Sequence, residues 1–386
     1  MKTDLQWKLG NNIIEPTENA THLGIIRSEL KENQLNIEAR LSIARRTLYS
    51  LINTGVHGSN GLNPATSYKI YQCYVLPRLL YGLEILPLNI SQLEILNKFH
   101  LKNLRNFQSL PDRTASGVVY LLLGALPIEA EIHRRQMSFL HNVLSCENST
   151  IQELTERQCI MNIDNTESFF CRVSEALSKY RLSDITNLKE NLPSKDAWKN
   201  EVKIAVRKHW LQVLFDDMKG KSTLSNMNLQ ILKFGCTHPL WASLKNTVSD
   251  VKKGIIKARI ITGTYILETN RHRFSAGKES ALCKCCGLEN EDIIHFLLHC
   301  PALYQQRKDI YGKIKQLIIT LIGCNNWNIL SSNKLFTTRI IIDCSFLKPY
   351  LLKPHDLEEV NRLTTDLCYK LHIHRLVLLN KRKDRS

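Results

Sequence analysis

Residues 282–301 read LCKCCGLENEDIIHFLLHCP, and no other stretch constrains the fold as tightly. The order Cys283-x2-Cys286-x8-His295-x4-Cys300 places metal-ligating side chains at knuckle spacing. A C-x2-C turn sets two thiolates on one side of a tight loop, and Gly287 supplies the positive φ such a turn often needs. The spacing predicts a helix from Glu291 to Cys300. On it, His295 and His299 share a face, and Cys300, five residues after His295, stays within reach at a fraying end. Ile293, Ile294, Phe296, Leu297 and Leu298 would pack that helix on a neighbour. A zinc ion bound at ~2.3 Å from sulfur would close the four ligands as a tetrahedron, and with every position filled by protein it would be structural, not catalytic. Cys285 can stand in for Cys283 or Cys286, and His299 for Cys300. The competing reading is a set of reduced core cysteines.

The chain has 386 residues, enough for two or three domains, and 43% are apolar, enough for sizeable cores. No stretch approaches the ~18 apolar residues that cross a bilayer, and the start, MKTDLQWKLG, has neither signal nor transit character. Twelve cysteines in this context fit a reducing compartment, so an intracellular location, nuclear or cytoplasmic, is expected, with no membrane partner. The net charge of +16 points to a polyanionic partner, most often RNA or DNA.

Apolar periodicity predicts a mainly α chain. Residues 5–28 read as two short strands around a turn-rich link broken at Gly10-Asn11-Asn12 and Glu15-Pro16-Thr17, an N-terminal β-hairpin assigned to 1–30. Residues 31–145 read as a helical bundle. Its first helix, 33–54, repeats Ile37, Leu41, Ala44, Leu48, Leu51 and Ile52. Its second is capped at Asn63-Pro64, carries Tyr68, Tyr71 and Tyr74 toward the core, and kinks at Pro77. Ser91-x-x-Glu94 reads as a capping box opening a third, and Leu126-Pro127 precedes a fourth. Residues 146–239 are a polar helical linker region with a longer helix at 196–219. Residues 240–320 hold a basic helical stretch and the small knuckle domain. Residues 321–386 form a C-terminal helical segment, with Ile340–Ile342 as strand or buried helix, ending in the basic tail Lys381 to Arg385.

Taken in order, a strand pair with His22-Leu23-Gly24, a helical bundle, the stretch Arg259-x-x-Thr262-Gly263 and the knuckle resemble the C-terminal part of the reverse transcriptases of non-LTR (LINE-like) retrotransposons. The resemblance covers nearly the whole chain. Cys283, Cys286, Gly287, Glu291, His295, Leu297 and Cys300 match the family's CCHC zinc knuckle, its most specific part. A Tyr-Leu-Gly-type segment closes the palm in that family; here His22 replaces the tyrosine. The resemblance implies a palm-end hairpin remnant, a thumb-like bundle at 31–145, and RNA-directed DNA polymerase as the parent activity. That activity needs a Phe-x-Asp-Asp hairpin and an earlier Asp, upstream of the His-Leu-Gly strand, to hold two metals. The residues before His22 contain no paired aspartate, and Asp216-Asp217 after Phe215 sits at a helix end. The expectation is a fragment that binds and does not polymerise.

The expected nucleic-acid contacts are Lys252, Lys253, Lys257, Arg259, Arg271, Arg273, Lys278 and Lys284 on phosphates, with Tyr265 and Phe274 stacking on unpaired bases. By resemblance to a thumb, Arg40, Arg45 and Arg46 would track the duplex. An alternative is a zinc-stabilised module that docks a protein partner through the bundle. A third reading is a residual nuclease built on Asp343, Asp356, Glu358 and Glu359, which are the right residue types in the wrong order. No Gly-x-x-x-x-Gly-Lys phosphate loop and no activated nucleophile is present, so no small-molecule substrate is expected.

Overall fold

Among the described residues the chain is mainly helical, with its strands in two hairpins at the N-terminal end. A computed structural model describes residues 7–14, 17–58, 60–162, 164–351 and 353–383. The Glu15-Pro16 break and the tail residues Asp384 and Arg385 lie outside them. No helix among the described residues is long and apolar enough to cross a membrane.

The N-terminal region holds two antiparallel hairpins where one was expected: Trp7–Leu9 with Asn12–Ile14, and Asn19–His22 with Ile25–Ser28. In the second, His22 pairs with Ile25, which makes Leu23-Gly24 a two-residue turn. Both central residues have positive φ, 49° and 77°, the primed geometry that matches strand twist. The His-Leu-Gly signature is therefore a hairpin tip.

The residues group into two units, each assembled from separated stretches. One comprises residues 1–47, 74–99 and 128–206, the other 48–73, 100–127 and 207–386. In the first, the helix Ile128–Leu144 buries Ile132, Met137 and Leu140, and Trp198 donates its indole N–H to the Met137 carbonyl at 2.9 Å. The helix Ile90–Phe107 opens on a capping box two residues earlier than expected. Asn89 Oδ1 accepts from the Gln92 amide, and Gln92 Oε1 accepts from the Asn89 amide, both at 3.0 Å.

In the second unit, Trp241 is fully buried and donates to Gln108 Oε1 at 3.0 Å. Tyr71 and His100 are buried together, with Tyr71 Oη 3.0 Å from His100 Nδ1 and His100 Nε2 3.1 Å from the Leu126 carbonyl. Of the three tyrosines expected in the core, Tyr68 and Tyr71 are buried and Tyr74 is half exposed. The kink expected at Pro77 takes the form of a π turn, Tyr71–Val75, between the helices Pro64–Ile70 and Leu76–Leu80. The missing amide of the proline and its ring disturb the turn before it, and widening that turn relieves the clash. Ile340, Ile341 and Ile342 are a buried helix end, Lys334–Ile342, and the last helix runs Pro354–Lys383.

Candidate metal centre

Four ligand atoms, from Cys283, Cys286, His295 and Cys300, lie within 4.8 Å of one another. Local backbone chemistry places each. The Gly287 amide donates to the Cys283 carbonyl at 2.7 Å, and Gly287 takes φ 74° with open space where a Cβ would sit. Its conformation, not crowding, requires glycine there. The Cys283 amide reaches the Glu289 carbonyl at 2.8 Å, and an isolated bridge pairs Leu282 with Asn290, so the knuckle is a miniature hairpin.

Cys300 reaches the cluster by a different route from the fraying end that was expected. Residues His295–His299 form a π turn, closed by the Cys300 amide on the His295 carbonyl at 2.7 Å. In a turn widened to i→i+5, residue i+5 stacks over residue i, which sets Cys300 beside His295. His299 is left exposed. Cys285 is buried beside the cluster, in a second group with Cys283 and Glu291, and is not one of the four.

The distances fit a tetrahedral ion. Two ligands bound at ~2.3 Å stand ~3.8 Å apart in that geometry. Cys283 and Cys300 hold their sulfurs 3.9 Å apart, and Cys286 Sγ lies 3.4 Å from His295 Nε2. The other ring nitrogen, Nδ1, lies 3.0 Å from Glu289 Oε2, the carboxylate–histidine arrangement that fixes which nitrogen faces a metal. Hydrogen bonds from Cys285, then Cys300, and from the Cys286 and Cys285 amides lower the Cys283 pKa against its burial. The Cys285 and Cys300 thiols are pushed up, first by sharing a proton with Cys283 and then by burial.

A buried ion network braces this cluster. Glu291, 1% exposed, accepts from Arg375 Nε at 2.7 Å and Nη2 at 2.6 Å, and from the Glu268 amide at 3.0 Å. Glu268 lies 3.5 Å from Arg375 and 2.8 Å from Lys284. Burial works against the Arg375 charge, but its bonds and charge pairing with Glu291 outweigh it and raise its pKa. Arg307 donates to the Leu298 and Cys300 carbonyls and holds the far side of the π turn. Arg375 and Arg307 escaped the sequence reading because Arg375 lies far along the chain and nothing local marks either side chain as buried.

The expected nucleic-acid residues separate by burial. Lys257 is fully buried and cannot meet a phosphate. Its ammonium donates to Asn361 Oδ1 at 2.7 Å, Thr364 Oγ1 at 2.6 Å and the Asn361 carbonyl at 3.4 Å, three acceptors for three protons. Position 257 shares a helix face with Gly254 and Ile261, which the basic run around it hides. Arg40 is also buried. It donates to the Gly24 carbonyl and covers the Tyr81 ring at 4.6 Å, anchoring the hairpin tip instead of a duplex. Position 40 lies three residues after Ile37 and four before Ala44, on the edge of the stripe these two bury. Arg259 is half-buried on the Ser109 carbonyl, and Lys253 pairs with Asp366 at 2.7 Å. Arg45, Arg46, Lys252, Arg271, Arg273, Lys278 and Lys284 are exposed. Tyr265 is not a free stacking surface: it stacks on Phe296 and meets His372 Nδ1 at 2.9 Å. Phe274 is 59% exposed, with the Arg273 guanidinium 5.4 Å and the Arg113 guanidinium 5.6 Å from its ring centre. Arg113 was missed because it is far from the knuckle in sequence.

The acidic candidates are otherwise engaged. Asp216 and Asp217 lie at the exposed end of the helix Lys195–Met218 and pair with Lys219 and Lys221. Asp343, 1% exposed, accepts from the Asn228 and Ser345 amides and faces His238 Nε2 at 3.6 Å. It is a sealed core carboxylate. Compared with known proteins, the chain matches no family model, no curated protein and no solved structure.

Proposed function

We propose that this chain binds single-stranded or irregular nucleic acid beside a structural zinc knuckle, as the thumb and knuckle portion of a LINE-like reverse transcriptase does, without polymerase chemistry of its own. The observation that carries the reading is Phe274, an exposed ring set between Arg113 and Arg273, less than ten residues before Cys283. An exposed ring with two guanidinium groups over it is a cationic aromatic surface suited to an unpaired base, and the exposed Arg271 and Lys278 would add phosphate contacts nearby in the sequence. The net charge of +16 supplies the long-range attraction. Zinc, the ion that suits three thiolates and an imidazole in a closed tetrahedron, would cross-link the knuckle and supply no catalysis. Glu291 and Arg375 would orient the knuckle on the last helix.

Fluorescence anisotropy of the full chain with a 20-nucleotide single-stranded RNA, titrated across salt, tests this. The expected result is binding that weakens steeply with salt, and that falls roughly tenfold in Arg273→Glu/Phe274→Ala, as loss of one stacked base and one phosphate contact implies. Absence of affinity at low salt, or equal affinity in the folded double variant, would overturn it.

A further inference from the structure

The helices Tyr304–Ile322 and Pro354–Lys383 pack along one another and leave an open groove of about 570 Å³ between them. Its floor is apolar, built from Ile310, Leu363, Tyr369, Ile373 and Val377. Ile373 and Val377 are each 42% exposed, more than an isolated helix pair needs to leave in water. Lys253, Lys313, Arg362 and Lys370 stand around the same groove, against one carboxylate, Asp366. Asp366 is already taken by Lys253 at 2.7 Å. Among the described residues, no carboxylate lies within ion-pair distance of Lys313 or Lys370, and Arg362 has only Glu359 at 3.9 Å.

We propose that this groove docks an acidic amphipathic helix of a partner protein. Shape, spacing and charge agree on that occupant. The lining side chains Arg362 to Val377 recur every three or four residues along one helix, a wall of ~22 Å, and Gln306 to Lys313 of the facing helix close the groove over ~10 Å of it. A third helix laid there would bury an i, i+3, i+4, i+7 stripe on the floor. Glu or Asp on its flanks would meet Lys313, Lys370 and Arg362. A duplex is too wide to enter a channel between two packed helices, and its backbone gains nothing from an isoleucine and valine floor. A lipid surface favours a convex apolar face. This surface is separate from Phe274 and the knuckle, and stands whether or not the chain binds nucleic acid.

The test is a displayed library of 18-residue helical peptides selected against the full chain, followed by direct titration of the enriched peptides. Enriched sequences are expected to carry the apolar stripe with acidic flanks. Binding should fall at least tenfold in Ile373→Glu, at a position exposed enough to accept the charge, and severalfold in Lys313→Glu/Lys370→Glu. Metal content and helicity should match the unsubstituted chain. Enrichment of peptides indifferent to both variants, failure to enrich any, or competition for the groove by a single-stranded RNA or by anionic vesicles but not by acidic peptide would overturn the proposal.

Discussion

Arg375 holds two buried carboxylates, Glu291 and Glu268, at once. Removing one partner of such a set leaves uncompensated charge in a low-dielectric site, at a cost of ~3–5 kcal/mol. Arg375→Met is therefore predicted to lower the urea midpoint sharply, and an unchanged midpoint would contradict its role as the brace. His100 offers a second test. Burial holds its pKa down to about 4, so the native protein keeps it neutral while the unfolded chain protonates it near 6.5. The unfolded state then binds more protons between those values. The stability His100 contributes is complete above about pH 6.5 and is lost as pH falls toward 4, a difference of about 3 kcal/mol. His100→Gln keeps a donor and an acceptor without titrating. Its urea midpoint is predicted to vary less between pH 7 and pH 4.5 than that of the unsubstituted chain, and an identical slope would rule His100 out. Neither role was legible beforehand. Burial of Arg375, Lys257 and Arg40 depends on which face of a helix meets a neighbour distant in sequence, and a basic run reads the same whether one lysine in it is sealed or free.

At the level of elements, apolar periodicity found the long helices and local chemistry adjusted their ends. Ser91-x-x-Glu94 had the letters of a capping box, but Asn89 and Gln92 make it, because Asn is as good a cap as Ser and the chain turns into the helix after Asn89. Asn89→Ala is predicted to cost ~1 kcal/mol in a denaturant titration and Ser91→Ala a few tenths. Equal costs would place the cap elsewhere. Pro77 announced a break in its helix, and its form, a π turn, follows from relief of the proline clash. The π turn at His295–His299 carried no such letter. Only the five-residue step from His295 to Cys300 hinted that an ordinary helix would misplace the sulfur. The second hairpin, with its tip at Leu23-Gly24, is held by Asn36, Arg40 and Tyr81, contacts too distant in sequence for strand patterns to show.

On the scale of the molecule, the helical class and the clustering of Cys283, Cys286, His295 and Cys300 were readable because both are written in short-range spacing. The grouping of the chain into two units was not, since residues 48–73 and 100–127 join a unit completed only after residue 207. The candidate metal site is the point at which sequence spacing, backbone turns and buried charge agree. Metal content by native mass spectrometry, on protein purified reduced and without chelator, tests it most directly. One zinc per chain is predicted, retained in Cys285→Ser and in His299→Ala, and lost in Cys286→Ser. A metal-free chain, or a zinc that survives Cys286→Ser and leaves with Cys285→Ser, would contradict the four-ligand knuckle.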